Sequence, residues 1–324
     1  MTTRGIYITA NDKVIDHAIA CLNSIRAHDP GIPVMLIPYD DDYHQVAAVL
    51  GRDYGVEVYP DLAFIQRLSE NLHGIFGEGF FARPNQFRKQ ACWFGPFDRF
   101  LYIDTDVVVF SAIAQVLDYL DDYDFISYDY QHRGGIRNVF APAVIDQGVF
   151  TPAELEDMFN CGFWGSKKGL VSEQDLYDTF AECAAHPDYF DFSEKTSDQP
   201  IINYLILKRV ARRFNLVRQP GGGPGNWAGS PHFVPLAPEG MALHDPKGMA
   251  LYDPKVNKPL DYLHWAGYRI QPGCPYWEIW AHYRYLRDPD SRPVAVPVVR
   301  PARLTTLRRS LRRTLERTFS RTGG

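Results

Sequence analysis

From Arg99 to Phe110 the chain reads Arg-Phe-Leu-Tyr-Ile-Asp-Thr-Asp-Val-Val-Val-Phe. Apolar residues occupy both alternating faces from Phe100 to Ile103 and again from Val107 to Phe110, the pattern of one strand buried on both sides of a parallel sheet. Asp104 and Asp106 conflict with that burial, because a dry, unpaired carboxylate is unfavourable by on the order of several kcal/mol. The conflict disappears if the pair lies at the carboxyl edge of the sheet and faces a cation. Side chains alternate along an extended backbone, so the two carboxylates fall on one side of the chain, with Thr105 between them. Two hard oxygen ligands suit Mn²⁺ or Mg²⁺, which keep several waters and accept phosphate oxygens. An isolated Asp-x-Asp is a weak signal; the apolar flanks make this one a candidate metal clamp for a diphosphate.

Length and composition fit one large α/β domain: 324 residues, 45% hydrophobic and 23% charged. We place that domain at residues 1–295 and a Pro-rich linker with a basic tail at 296–324. Eight Arg and one Glu give the segment 300–324 a charge of +7, which leaves residues 1–299 at −12 within a total of −5. An acidic body argues against nucleic acid as a partner. Leu304, Leu307, Leu311, Leu315 and Phe319 recur at helical spacing among the arginines, the pattern of an amphipathic helix on an anionic membrane surface; a partner-binding helix or a disordered tail would carry the same pattern. Cys21, Cys92, Cys161, Cys183 and Cys274 show no Cys-x-x-Cys spacing, so free thiols in a reducing compartment are expected. With no signal-peptide pattern and no apolar run of about 18 residues, the expected location is cytoplasmic, peripheral on the inner face of the membrane.

The first sixty residues alternate strand and helix. Gly5–Ala10, Pro33–Pro38 and Val56–Tyr59 read as strands, and the helices between them start near Val14 and Tyr43. Such alternation predicts a Rossmann-like, mostly parallel sheet flanked by helices, with ligands at the carboxyl ends of its strands. The turn Thr9-Ala10-Asn11-Asp12 is then a natural nucleotide site. It carries neither Gly-x-Gly-x-x-Gly nor a P-loop, which counts against a dinucleotide dehydrogenase. Arg83–Phe94 reads as a helix whose Arg88 and Lys89 either face solvent or reach toward the anionic ligand. The irregular run 129–152 is a candidate acceptor loop, and Met158–Ser166 a strand that opens on Asn160 and Gly162. Asp198 reads as an N-cap before an apolar helix over Ile201–Leu207. Gln219–Ser230 has the composition of a flexible loop. Gly240–Lys247 and Gly248–Lys255 are near-identical octets, compatible with a local hairpin. His264 ends a short apolar strand, where it is either structural or the missing third ligand of the Asp pair.

Thr9-Ala10-Asn11-Asp12, Leu101-Tyr102-Ile103-Asp104-Thr105-Asp106, Phe159-Asn160-Cys161-Gly162, Asp198-Gln199 with Asn203, and His264-Trp265-Ala266-Gly267 resemble, in order and spacing, the glycogenin-like glycosyltransferases, family 8 of the GT-A fold. The resemblance covers about residues 5–270. It implies a retaining hexosyl transfer from a nucleotide-sugar, most simply a UDP-sugar, to a glycan, lipid-linked or small-molecule acceptor. Asp104, Asp106 and His264 would hold Mn²⁺ or Mg²⁺. Thr9, Ala10, Asn11 and Thr105 would lie along the nucleotide, Arg88 or Lys89 near the donor sugar, and Asn160, Asp198 and Gln199 against the transferred sugar. Gly267 belongs to the same set, and the lysine of the family's His-x-x-Gly-x-x-Lys ending is Ile270 here, which leaves Arg269 as the substitute. A nucleotidyltransferase-like enzyme, or a non-catalytic nucleotide-sugar-binding relative, is the alternative reading.

Overall fold

The computed structural model describes residues 2–77, 84–128, 139–192, 197–218, 222–236 and 249–293. The basic tail, the first octet copy and part of the 129–152 insertion lie outside the described residues. The chain begins β1 (Arg4–Ala10), α1 (Ile15–His28), β2 (Val34–Pro38), α2 (His44–Tyr54), β3 (Glu57–Val58) and α3 (Leu62–Phe76). Helix α2 stops at Gly55, whose φ of 66° is left-handed and open to glycine without strain. Over Pro84–Phe94 the expected α-helix is a run of 3₁₀ turns. Phe87, Gln90 and Trp93 are all fully buried, and their spacing of three residues is the period of that tighter helix.

Strands β4 (Arg99–Asp104) and β5 (Val107–Val109) follow, then 3₁₀ turns over Ala114–Asp121 and β6 (Phe125–Ser127). After the short helices α4 (Ala143–Asp146) and α5 (Pro152–Leu155) come β7 (Phe163–Lys167), α6 (Glu173–Ala185), α7 (Gln199–Arg209) and β8 (Arg213–Asn215). The main sheet has the order β3-β2-β1-β4-β7-β6-β8. Its pairs are parallel except the two that β7 makes with β4 and β6. This is the mostly parallel α/β sheet expected from the alternation.

The alternation along β4 divides the core. Phe100 and Tyr102 pack with α3, α6 and α7 on one face, Leu101 and Ile103 with α1 and α2 on the other, and all four side chains are at most 1% exposed. Burying each of them stabilises the sheet by about 1.5–3 kcal/mol. One expectation is corrected here: residues 99–110 are not one strand. The chain leaves the main sheet at Asp104, turns through Thr105 and Asp106, and forms β5 in a separate two-stranded ribbon.

The C-terminal part supplies β9 (Val234–Leu236), β10 (Ala250–Asp253), β11 (Lys258–Pro259), β12 (Tyr262–His264) and α8 (Trp277–Arg284). The second octet copy forms β10, which pairs with β9 and β11; the first copy, the other half of the expected hairpin, lies outside the described residues. Asp253, with its side chain fully buried, accepts the N–H groups of Gly225 at 3.1 Å and Lys255 at 2.9 Å and faces His232 Nε2 at 3.2 Å. Burial alone would raise its pKa, but these donors and the imidazole hold it below the usual range. A depressed carboxylate stabilises the fold above its unfolded value of about 3.9 and loses that contribution as the pH falls through the folded value. Asp253→Ala is therefore expected to lower stability by about 1–3 kcal/mol at neutral pH. The difference from wild type should narrow as denaturant unfolding is repeated at progressively lower pH. The five cysteines are unpaired, as expected, and no helix among the described residues is long and apolar enough to cross a membrane.

Candidate active site

Register brings distant segments to one edge of the sheet. Thr9 stands opposite Asp104 in the β1–β4 pair, so the turn after β1 and the Asp pair meet at the carboxyl edge. In the β5–β12 ribbon His264 stands opposite Val107, and the Trp265 N–H donates to the Asp106 carbonyl at 3.0 Å. His264 Nε2 is thereby 3.0 Å from Asp106 Oδ1, and one ligand atom each from Asp104, Asp106 and His264 lie within 4.8 Å of one another. Two carboxylate oxygens and an imidazole nitrogen in this space fit Mn²⁺, and Mg²⁺ less well because of the nitrogen. The Gly-rich segment is pinned rather than loose where it passes this ribbon. The His264 N–H donates to the Asn226 carbonyl at 2.8 Å, and the Ala228 N–H to the His264 carbonyl at 2.9 Å.

Because β7 runs against β4, the residues before β7 lie at the same edge, and the Asp104 N–H donates to the Gly162 carbonyl at 2.8 Å. The strand begins at Phe163, so Asn160, Cys161 and Gly162 form its approach and not, as expected, its first residues. A Cβ on Gly162 would lie 2.1 Å from His264 Cε1 and 2.9 Å from Asn160 Oδ1. Gly162→Ala is expected to displace the imidazole and weaken Mn²⁺ binding about tenfold or more, read by metal titration. An unchanged affinity would mean that His264 does not ligate.

Asn160 Oδ1 accepts the Gly162 N–H at 2.9 Å, and its Nδ2 donates to Gln199 Oε1 at 3.1 Å. Asn203 braces this segment against α7: its Oδ1 accepts the Phe159 N–H, and its Nδ2 donates to the carbonyls of Phe159 and Gln199, each at 2.9 Å. Asp198 precedes α7 but makes no capping hydrogen bond, which corrects the capping reading. Its carboxylate instead stands 2.6 Å from Lys89 Nζ, which is also 3.9 Å from Asp104 Oδ1 and 5.2 Å from the centre of the Tyr102 ring. The Tyr102 hydroxyl donates to Asp104 Oδ1 at 2.8 Å and lies 3.2 Å from Thr9 Oγ1.

Burial opposes the charged forms of Asp104, Asp106, His264 and Lys89, and the neighbours decide each outcome. It raises the pKa of Asp104, with Lys89 opposing; at Asp106 it is outweighed by His264, which holds the carboxyl low. His264 is raised despite burial because Asp106 faces it, and Lys89 is held well above its usual value, against burial, by Asp104 and Asp198.

A cavity of about 420 Å³ opens over the cluster. Of the residues anticipated from the sequence, Thr9, Ala10, Asn11, Lys89, Asp104, Thr105, Asp106 and Asp198 line it, while Asn160, Gln199 and His264 stand behind that wall through the contacts above. Arg88 does not line it; Lys89 faces the cavity, and Arg88 turns away to Asp41 and Gln66. Gly267, with φ of 77°, and Arg269, which is exposed, are also not among the wall residues. The sequence reading missed Lys13, Val14, His17, Tyr39, Asp40, Asn85, Gln86 and Tyr102. Val14 and His17, three apart after Asn11, and Tyr102, two before Asp104, share faces with anticipated residues and could have been found by period. Asn11 is committed to structure, since its Nδ2 donates to Asp40 Oδ2 at 2.7 Å and ties the two turns together.

No family model and no curated sequence matches the chain. The fold is the mixed α/β architecture of the GT-A glycosyltransferases. It is similar to an apo structure described as a WbbM bifunctional glycosyltransferase, with a TM-score of 0.55 at 13% identity over 91% of this chain and 52% of that one. It is also similar to an active-site mutant of LgtC, with a TM-score of 0.52 at 13% identity, and to the galactosyltransferase LgtC in complex with donor and acceptor sugar analogues, with a TM-score of 0.52 at 15% identity. Each of these two likenesses covers 90% of this chain and 98% of the other. The chain thus spans about half the length of WbbM and nearly all of LgtC.

Proposed function

We propose that this protein transfers a sugar from a nucleotide-diphosphate-sugar, in the simplest case a UDP-sugar, to an acceptor hydroxyl with retention of configuration. The observation that carries the reading is the convergence of Asp104 and Asp106 in the wall of a cavity with His264 directly behind them, beside the Lys89–Asp198 ion pair in the same wall. Asp104, Asp106 and His264 would hold a divalent cation, which supplies Lewis-acid stabilisation to a departing diphosphate. His264 ligates only when neutral, so loading the site releases the proton that Asp106 otherwise favours on the ring. Lys89 adds a fixed positive charge beside the diphosphate. Asn160 and Gln199, whose side chains are bonded to each other behind the cavity wall, would brace that wall beside the transferred sugar. Asp198 is held by Lys89, where its carboxylate steadies positive charge on the ring carbon and oxygen. Because the wall carboxylate Asp198 is engaged by Lys89 and so is a poor nucleophile, the proposed route to retention is attack on the same face through an oxocarbenium-like state in place of a double displacement. The likeness to LgtC, solved with donor and acceptor sugar analogues, supports the same reading at the level of fold.

A panel of nucleotide-sugars tested for hydrolysis with Mn²⁺ and after chelation decides the matter. Turnover of one donor that stops on chelation is expected; no turnover of any donor would leave a binding protein. We further propose that the basic segment 300–324 attaches the acidic body to an anionic membrane surface, since its eight Arg face a single Glu. Lipid-linked acceptors would be within reach there.

A further inference from the structure

Arg88 points into a second cavity, of about 330 Å³, on the other side of the turn that follows β2. Tyr43, Leu62 and Ile65 form the apolar wall of this cavity, and Asp41, Gln66 and Arg88 are its polar groups. Arg88 is only 6% exposed, yet its guanidinium is under-used. One Nη donates to Asp41 Oδ1 at 3.0 Å and to Gln66, the other reaches the Pro38 carbonyl at 3.5 Å, and Nε is buried without a hydrogen-bond partner. The Asp41 side chain is 92% exposed, so the counter-charge of a buried cation stands in water, where it is well solvated and weakly held. Independently, α3 begins at this cavity: Leu62 and Ala63, its first two residues, line it, and Asp61 caps the N–H of Phe64. The first turn of a helix and a buried guanidinium whose carboxylate partner stands in solvent therefore line the same space.

We infer that this cavity binds a small amphiphilic anion, a carboxylate or phosphate head on an apolar body. Arg88 takes the head in place of Asp41, which swings into solvent, and Tyr43, Leu62 and Ile65 cover the body. The site is separate from the donor cavity, and its existence does not depend on the proposed sugar transfer.

The test is calorimetric titration of the full chain, in the presence of a chelator, with benzoate and phenyl phosphate as the two head groups and benzyl alcohol as the uncharged control. Saturable binding of at least one anion is expected, and none of the alcohol; the preferred head tells carboxylate from phosphate. Asp41→Asn removes the competing carboxylate and is expected to tighten binding about fivefold or more, while Arg88→Gln abolishes it. If Arg88→Gln does not fold, Ala63→Trp at the exposed rim closes the mouth and abolishes binding instead. Failure of both anions to bind Asp41→Asn, or undiminished binding in Arg88→Gln or Ala63→Trp, overturns the assignment.

Discussion

Asp104→Asn and Asp106→Asn are each expected to lower metal-dependent donor turnover about a thousandfold, the scale for loss of a group that stabilises transition-state charge. The two variants should differ in stability, because the carboxylates differ in what the fold does for them. Asp104 carries a pKa raised by burial, so a neutral amide removes a strained charge while its oxygen still accepts from Tyr102. Its unfolding midpoint should fall less than that of Asp106→Asn, relief of the buried charge being set against the loss of one of the two carboxylates that hold Lys89. Asp106 is held in its charged form by His264, and Asp106→Asn forfeits that pair. Without metal it should be less stable than Asp104→Asn at neutral pH. Activity measured with and without chelator, beside thermal unfolding of the metal-free proteins, separates the two effects. Full turnover in either variant would remove the metal from the mechanism.

The second large effect is expected at Asp198. A residue that only caps a helix can be replaced by Ser at little loss, since Ser caps about as well as Asp. Asp198 makes no such bond, and its carboxylate, 16% exposed, pairs with Lys89, 12% exposed. Asp198→Ser is expected to cut turnover by a hundredfold or more, on the scale of about 10²–10³ for such charge-stabilising groups, and to destabilise the protein by about 3 kcal/mol through the buried ammonium left behind. A cycle with Lys89→Met distinguishes architecture from catalysis. The double variant Lys89→Met with Asp198→Leu should recover part of the stability, because neither member of the pair is left without the other while Asp104 still loses Lys89, yet show no recovery of turnover. Near-normal turnover in Asp198→Ser would end the catalytic role.

How much the sequence revealed follows from the range of the forces involved. β1, β4 and the Asp pair were legible because burial on both faces writes itself into consecutive residues, and two carboxylates among them stand out. The break after Asp104 was not legible, since what splits the strand is a partner from beyond residue 260, pairing His264 with Val107. The 3₁₀ run over Pro84–Phe94 differs from an α-helix by a fraction of a residue per turn, too little to read in eleven residues. That same winding turns Lys89 toward the carboxylates and Arg88 away, a choice that adjacency alone left open. Asp198 shows the limit of positional rules, which identify where a cap could be but not which atom its oxygen meets.

One reversed strand has a wider consequence. Parallel strands only send chain out over the catalytic edge, but β7 admits chain there, so the connection from β6 to β7 both departs from and returns to the donor site. That connection holds the long insertion, and its length and composition can drift without altering the turns after β1 and β4 that line the cavity. On the function proposed above, acceptor preference would then be written in a single excursion, apart from the turns after β1 and β4.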